Sequence, residues 1–329
     1  MAAIPSSRER GPARRVVVTG LDVVTPIGVG RDAFWKAALA GASGVRRIAH
    51  FDPEGLPTQM AATLADPSAI EELAAEAGLD ALEPRGVVVG VRAASGAVAA
   101  ARAREVLRSP RAGVLVGTSG ERHDLRSLGA IAYASRSEDG RVTPSGFARE
   151  FSRRVARDRS VRTWPQYLAS RLAGIFGIEG PTATIQTACT SSAQAIGAIR
   201  AALGDASLGP EDLDYVNAHG TSTPMNDRVE TAAIKAVFGP HAARLRVSST
   251  KSMIGHTISA AGAIELATTV LAIRDQIAPP TINYRVPDPE CDLSYVPNGP
   301  LSVRIRAAIS NSFGFGGHND CLLVREVPR

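Results

Sequence analysis

Thr187-Ala188-Cys189-Thr190-Ser191-Ser192-Ala193-Gln194-Ala195-Ile196-Gly197 is the stretch from which the rest of the chain can be ordered. The β-branched run before it, Thr182-Ala183-Thr184-Ile185-Gln186, reads as a strand. The run after it, Ser191 to Leu203, carries good helix formers with apolar residues at Ala195, Ile196 and Ile199, and reads as a helix. Cys189 is therefore expected at a strand-to-helix turn, near the positive end of a helix, where a thiol's pKa falls and thiolate becomes available. Taken alone, a buried structural cysteine reads equally well. The motifs downstream tip the balance.

Upstream, Arg15 to Gly20 is expected as a short apolar strand and Val23 to Gly30 as a loop punctuated by Pro26. A helix is expected near Asp32 to Ala40, with Asp32 capping its start, and Phe51 to Pro67 reads as irregular. Ala93 to Leu107 has helical spacing, Gly113 to Gly117 is a buried strand, and Trp164 to Phe176 is helical. Between them, Glu121 to Ser160 reads as a loop-rich cap. Downstream, strands are expected at Leu213–Asn217 and Leu245–Ser249, and helices at Asp227–Phe238 and Ala260–Ile273. Arg304–Ser310 and Cys321–Val327 close the chain as an antiparallel pair around a glycine-rich turn. Strands alternating with helices predict an α/β fold.

Composition sets the outer limits. With 329 residues and 44% apolar content, the chain can bury a large core as one domain or two halves. No apolar run reaches membrane-spanning length, and residues 1–14 read as a disordered basic leader with no secretion signal behind them. Three cysteines, Cys189, Cys291 and Cys321, have no metal-like spacing and imply free thiols in a cytoplasmic setting. The net charge of +5 is almost all arginine, since lysine occurs only at positions 36, 235 and 251. Arginines gather between Arg104 and Arg171, which suits either an acidic partner or a solvated face. No nucleic-acid motif is present.

Three further motifs carry chemistry. Asn217-Ala218-His219-Gly220-Thr221-Ser222-Thr223 places a histidine just past a strand, and Ser249-Thr250-Lys251-Ser252-Met253-Ile254-Gly255-His256 does so with a lysine and a second histidine. Ser310-Asn311-Ser312-Phe313-Gly314-Phe315-Gly316-Gly317-His318-Asn319 is a turn whose backbone amides can face a ligand. Strand ends are where α/β folds gather their sites. Singly, His219 could be a turn histidine, Lys251 a surface lysine and the glycine turn a plain hairpin. Together with Cys189, all at strand-to-loop junctions, they argue for one site.

These segments, with Val16-Val17-Val18-Thr19-Gly20 and Thr25-Pro26-Ile27-Gly28, resemble the elongating β-ketoacyl-acyl-carrier-protein synthases of the thiolase-like superfamily. The Thr-Ala-Cys-Thr-Ser wording also resembles bacterial aromatic-polyketide synthases. The resemblance implies two related α/β halves layered αβαβα, here 15–203 and 204–329. It implies that Cys189 attacks an acyl thioester and holds the chain. The backbone amides of Cys189 and Phe315 would form the oxyanion hole, and the Phe315 ring would gate the acyl pocket. His219 and His256 would bind the malonyl thioester and assist loss of carbon dioxide. Lys251 would support them electrostatically with Glu230 as its partner, and Asp227 and Glu230 match the family's acidic pair. Thr221, Thr223, Phe313 and Gly316 would contact substrate. No metal or redox cofactor is implied. Partners would be an acyl carrier protein and a second ketosynthase-like subunit, identical or not, paired through Thr182–Gln186. Neither nucleic acid nor membrane is implied as a partner.

One departure stands out. His219 follows Cys189 by only 30 positions, whereas the resembled enzymes have a longer interval, by on the order of a hundred residues. The break falls near Ile199–Leu203. It removes what would be the last two strands of the N-terminal half and the opening strand and helix of the C-terminal half, so the fold should be incomplete, with exposed edges and apolar faces. A working ketosynthase, a non-catalytic or truncated relative, and a cysteine hydrolase built on Cys189 and His219 stay open. The last leaves Lys251 and the second histidine without a role.

Overall fold

The computed structural model describes residues 16–329 apart from 65, 67, 81–82, 121–124, 156, 187–207, 209, 315–318 and 328–329. The expected leader, the helix Ser191–Leu203, and Cys189, Phe315 and Gly316 lie outside the described residues.

The N-terminal part begins with a tight hairpin, β1 (Val24–Thr25) and β2 (Gly28–Val29), turning over Pro26 where a loop was expected. Helix α1 (Arg31–Leu39) follows. Asp32 does not cap it: its carboxylate is taken by Arg31, and the start is held instead by Asp22, whose Oδ1 accepts the Arg31 and Val23 N–H groups. An acid inside the first turn can only favour the helix dipole, whereas one outside it can reach the free amides. Strands β3 (Val45–Arg47) and β4 (Met60–Ala62) pair antiparallel, so part of the expected irregular stretch is strand. Helix α2 (Ala69–Glu76) leads to α3 (Arg85–Ala101), which starts eight residues before the expected Ala93 and buries Val87, Val88 and Val91 at helical spacing.

Strand β5 (Val114–Gly117) is followed by α4 (Leu125–Ala134), α5 (Pro144–Arg154) and α6 (Arg157–Arg162). The expected loop-rich cap is thus helical. Thr143 caps α5 by accepting the Gly146 N–H at 3.2 Å, and Pro144 sits at its first position, where a missing N–H costs nothing. Helix α7 (Gln166–Phe176) and strand β6 (Thr182–Ile185) complete this part, with β6 parallel to β5. Val91, Val114, Val116, Leu172 and Phe176 close a core between α3, α7 and this two-stranded sheet. Residues 16–20 form no strand, and Val16, Val17 and Val18 are 48%, 53% and 50% exposed. Their valines favour a strand, but a strand needs a ladder partner, and among the described residues they have none.

The C-terminal part is built on strands β7 (Tyr215–Asn217) and β8 (Arg246–Ser248), helices α8 (Pro224–Phe238), α9 (Lys251–Ile254) and α10 (Ala261–Asp275), and short strands β9 (Ile277–Ala278) and β10 (Leu301–Ser302). Strands β11 (Ala307–Phe313) and β12 (Asn319–Arg325) end it. One four-stranded sheet results, in the order β8-β7-β11-β12, parallel except for β11–β12. The expected open edge is not found between β7 and β11. They pair directly, Tyr215 opposite Ala308 and Val216 opposite Ile309.

That register keeps the faces sorted. Tyr215 and Ala308 enter the core formed with α10 and α1, while Val216 and Ala307 enter the core under α8. Helix α10 is buried along most of its length, as expected for its small residues. Trp35 of α1 donates to Asp275 at its end at 2.7 Å, joining the N-terminal helix to the C-terminal core.

Candidate active site

The loops after β7 and β8 bring His219, Lys251 and His256 together at the C-terminal ends of two adjacent parallel strands. His219 follows β7 after a single residue, Ala218. Gly220 turns the chain at φ +43°, and a Cβ there would come within 2.5 Å of the Ser249 Cβ, so the tight approach of the two loops requires glycine. Ser249 Oγ then donates to Gly220 O at 3.0 Å, tying loop to loop.

Lys251 opens α9 and is 7% exposed; its ammonium contacts the Glu265 carboxylate on α10 and lies 3.4 Å from His219 Nδ1. The His219 and His256 rings stand edge to face with centroids 5.4 Å apart, and Phe313 at the end of β11 flanks His219 at 5.7 Å. Burial first, then Lys251 and His256, pushes the His219 imidazole down to about 3. Burial and then Lys251 lower His256 too. Burial raises the Glu265 carboxyl, with Lys251 pulling the other way.

The tautomers follow from the partners. An ammonium can only donate, so His219 Nδ1 accepts and its proton sits on Nε2. His256 Nδ1 accepts the Ile258 N–H at 3.1 Å, which places its proton on Nε2 as well. Two neutral rings therefore each offer one N–H donor.

The expected pairing of Lys251 with Glu230 is corrected: the partner is Glu265. Glu230 is turned to the chain itself, accepting the His219 N–H on Oε1 and the Gly220 N–H on Oε2, both at 2.9 Å, and Asn311 Nδ2 at 3.0 Å. Asp227, one turn earlier on α8, takes the Asn226 side chain at 3.1 Å and does not reach the histidines. Thr221 and Thr223 hydroxyls face each other at 3.1 Å on the exposed side of the turn. Glu265 and Asn311 had no role in the sequence reading. The signal for Glu265 was present: it is the lone acid in the apolar run Ala261–Ile273, and a charge there is buried only if paired. Among the described residues, no group of three or more His, Cys, Asp or Glu side chains is arranged to hold a metal ion, and no helix is long and apolar enough to cross a membrane.

Comparison with known proteins gives the following. Residues 13–209 match the model of the β-ketoacyl synthase N-terminal domain and residues 175–285 that of the C-terminal domain. The chain is 33% identical to 3-oxoacyl-[acyl-carrier-protein] synthase 2 of Coxiella burnetii over 409 aligned residues, covering 95% of this chain and 99% of that one. It is 30% identical over 436 aligned residues to a Streptomyces halstedii protein named "Putative polyketide beta-ketoacyl synthase 1", covering 96% and 99%. Among solved structures, the ishigamide ketosynthase/chain length factor superposes with a TM-score of 0.79 at 23% identity, covering 96% and 100%. With 329 residues here, the 409-residue alignment sets a long stretch of the relative opposite a gap.

Proposed function

The chain belongs to the β-ketoacyl synthase family, and from that premise we propose that it performs the decarboxylative condensation of an acyl thioester with a malonyl thioester on an acyl carrier protein, in fatty-acid or polyketide synthesis. The observation that carries this reading is the convergence of His219, His256 and Lys251, with both imidazoles neutral and each presenting an Nε2–H donor.

Cys189 attacks the acyl carbonyl; the carrier thiol leaves and the chain becomes a cysteine thioester. The two Nε2–H groups then bind the malonyl thioester oxygen, where negative charge grows as the carbon–carboxylate bond breaks and carbon dioxide departs. The enolate attacks the acyl-cysteine carbonyl, a carbon–carbon bond forms, the Cys189 sulfur leaves, and the β-ketoacyl product stays on the carrier. A neutral donor suits this, because a charged imidazolium would have to be desolvated beside Lys251. Lys251, braced by Glu265, keeps His219 in the required tautomer. The backbone amides of Cys189 and Phe315 serve as the oxyanion hole; the Phe315 ring, Phe313, Gly316, Thr221 and Thr223 contact substrate, and Asp227 supports the turn. The halves divide at 203/204. The outer edge of β6, where Thr182 and Ala183 are exposed, pairs with a second ketosynthase-like subunit.

A second reading, a family member without turnover, is favoured by the long gap against its relatives. Intact mass after exposure to an acyl-carrier thioester separates the two. An acyl adduct on the wild type and none on Cys189→Ala is expected; an unmodified wild type would leave the second reading standing.

A further inference from the structure

Asn311 sits on β11 directly opposite Cys321 on β12, and the two side chains meet: the Cys321 thiol donates to Asn311 Oδ1 at 3.0 Å. On its other side Asn311 donates through Nδ2 to Glu230, whose carboxylate clamps the His219 and Gly220 N–H groups. Asn311 and Glu230 are each 3% exposed, so neither exchanges these partners for water at no cost.

We propose that Asn311 is a positioning residue for His219, acting through Glu230, with the Cys321 thiol holding its amide the right way round. This rests on the role given above to His219.

The chemistry of the amide carries the argument. An asparagine presents a donor at one end and an acceptor at the other, and the ends have nearly the same shape. Against a carboxylate only the NH2 end is attractive. A donor on the opposite side selects that orientation, and a protonated thiol is such a donor. Cys321 as a residue is exposed, but its thiol is turned in against Asn311, where partial burial first, then Asp320 and Glu230, pushes it up to about 11, so it stays protonated at neutral pH. Among the described residues Glu230 has no cation within ion-pair distance; N–H groups alone hold it, most closely the two from the histidine turn and the one from Asn311. Without Asn311 the carboxylate can rotate about its last bond, and the two N–H groups that fix the His219 backbone lose their common anchor. The imidazole is then free to drift from the place where its Nε2–H must meet the thioester oxygen.

The test compares two half-reactions, malonyl-carrier decarboxylation and acylation of Cys189, together with amide hydrogen exchange at His219 and Gly220. In Asn311→Leu the ratio of decarboxylation to acylation should fall on the order of 10- to 100-fold, carried by kcat more than KM, and exchange at these two amides should quicken relative to β8. Cys321→Val should move both readouts in the same direction by less, and Cys321→Ser, which keeps a donor, should restore them. An unchanged ratio, or exchange rising evenly across the sheet, overturns the proposal. If the wild type performs neither half-reaction, the functional reading fails, and the exchange pattern alone decides whether Asn311 holds the turn.

Discussion

The two sheets of this molecule have absorbed the same shortening differently. The C-terminal sheet runs unbroken through β8, β7, β11 and β12, carries α8 on one face and α10 on the other, and holds every described residue of the site. Among the described residues the N-terminal sheet has two strands, β5 and β6, and the valines at 16–18 stand half exposed with no strand partner. Two parallel strands can close a gap only if the new register keeps apolar residues on their own face. Tyr215–Ala308 and Val216–Ile309 meet that condition. A two-stranded sheet depends for its stability on the helices packed against it; here those are α3 and α7.

The largest expected effect tests whether the C-terminal half is the more tightly determined. Glu265→Leu strands the Lys251 ammonium in a site where both side chains are almost fully buried, and should cost about 3–5 kcal/mol in a urea melt. Adding Lys251→Met should recover much of that loss, because the uncompensated charge is gone. The matching change in the N-terminal half is Glu83→Leu at the Arg171 ion pair. The Arg171 left behind is 35% exposed and can turn to water, so the cost should be about 1–2 kcal/mol. Equal costs would break the comparison.

The same contrast explains what could be read from the sequence. Elements whose partners are close in the chain, or whose faces are strongly patterned, were legible: β5, β6, α7, α8, α10 and the β11–β12 pair all fall near their expected places. The motif histidines and Lys251 could be placed because strand-to-loop junctions are local features. The direct pairing of β7 with β11 could not, since which strands meet after a loss depends on three-dimensional closure. Nor could the switch of Lys251 from Glu230 to Glu265, because Glu230 finds backbone donors 10 and 11 residues away that no side-chain pattern reveals. The helices in 121–162 escape for a different reason: α5 is amphipathic in pattern but strongly polar on average and has no fully buried residue, so its few apolar positions do not stand out, and its cap at Thr143–Pro144 is a purely local signal.

A smaller effect, confined to the C-terminal half, should appear on acidification. His219 is held to about 3 in the folded protein against 6.5 for the free side chain. The unfolded chain therefore binds a proton below pH 6.5 that the folded chain refuses until near pH 3. Stability from this group is fully present above 6.5 and is lost as pH falls from there toward 3. In chemical denaturation at pH 7, 5.5 and 4, His219→Asn should flatten the acid side of the profile. An identical slope in the variant would mean that His219 is no more protected than a surface histidine, and that the closed sheet does not seal the site.

The smallest expected effect concerns the division of labour between the halves. Residues 121–162 contain ten arginines against six acids, which is +4 of the chain's net +5, so the positive field belongs to the N-terminal half while the described chemistry belongs to the other. Arg153 and Arg154 both pair with Glu150 on α5 and remain 64% and 41% exposed. Reversing them with Arg153→Glu and Arg154→Glu should leave stability nearly unchanged, as surface pairs contribute little. It should instead raise the KM for an acidic carrier a few-fold at low salt, and the difference should fade at high salt, where exposed charges are screened. A KM unmoved at low salt would take α5 out of the docking surface. A KM raised equally at low and high salt would point to lost contact rather than lost field, and would make the N-terminal half a binding platform instead of a guide.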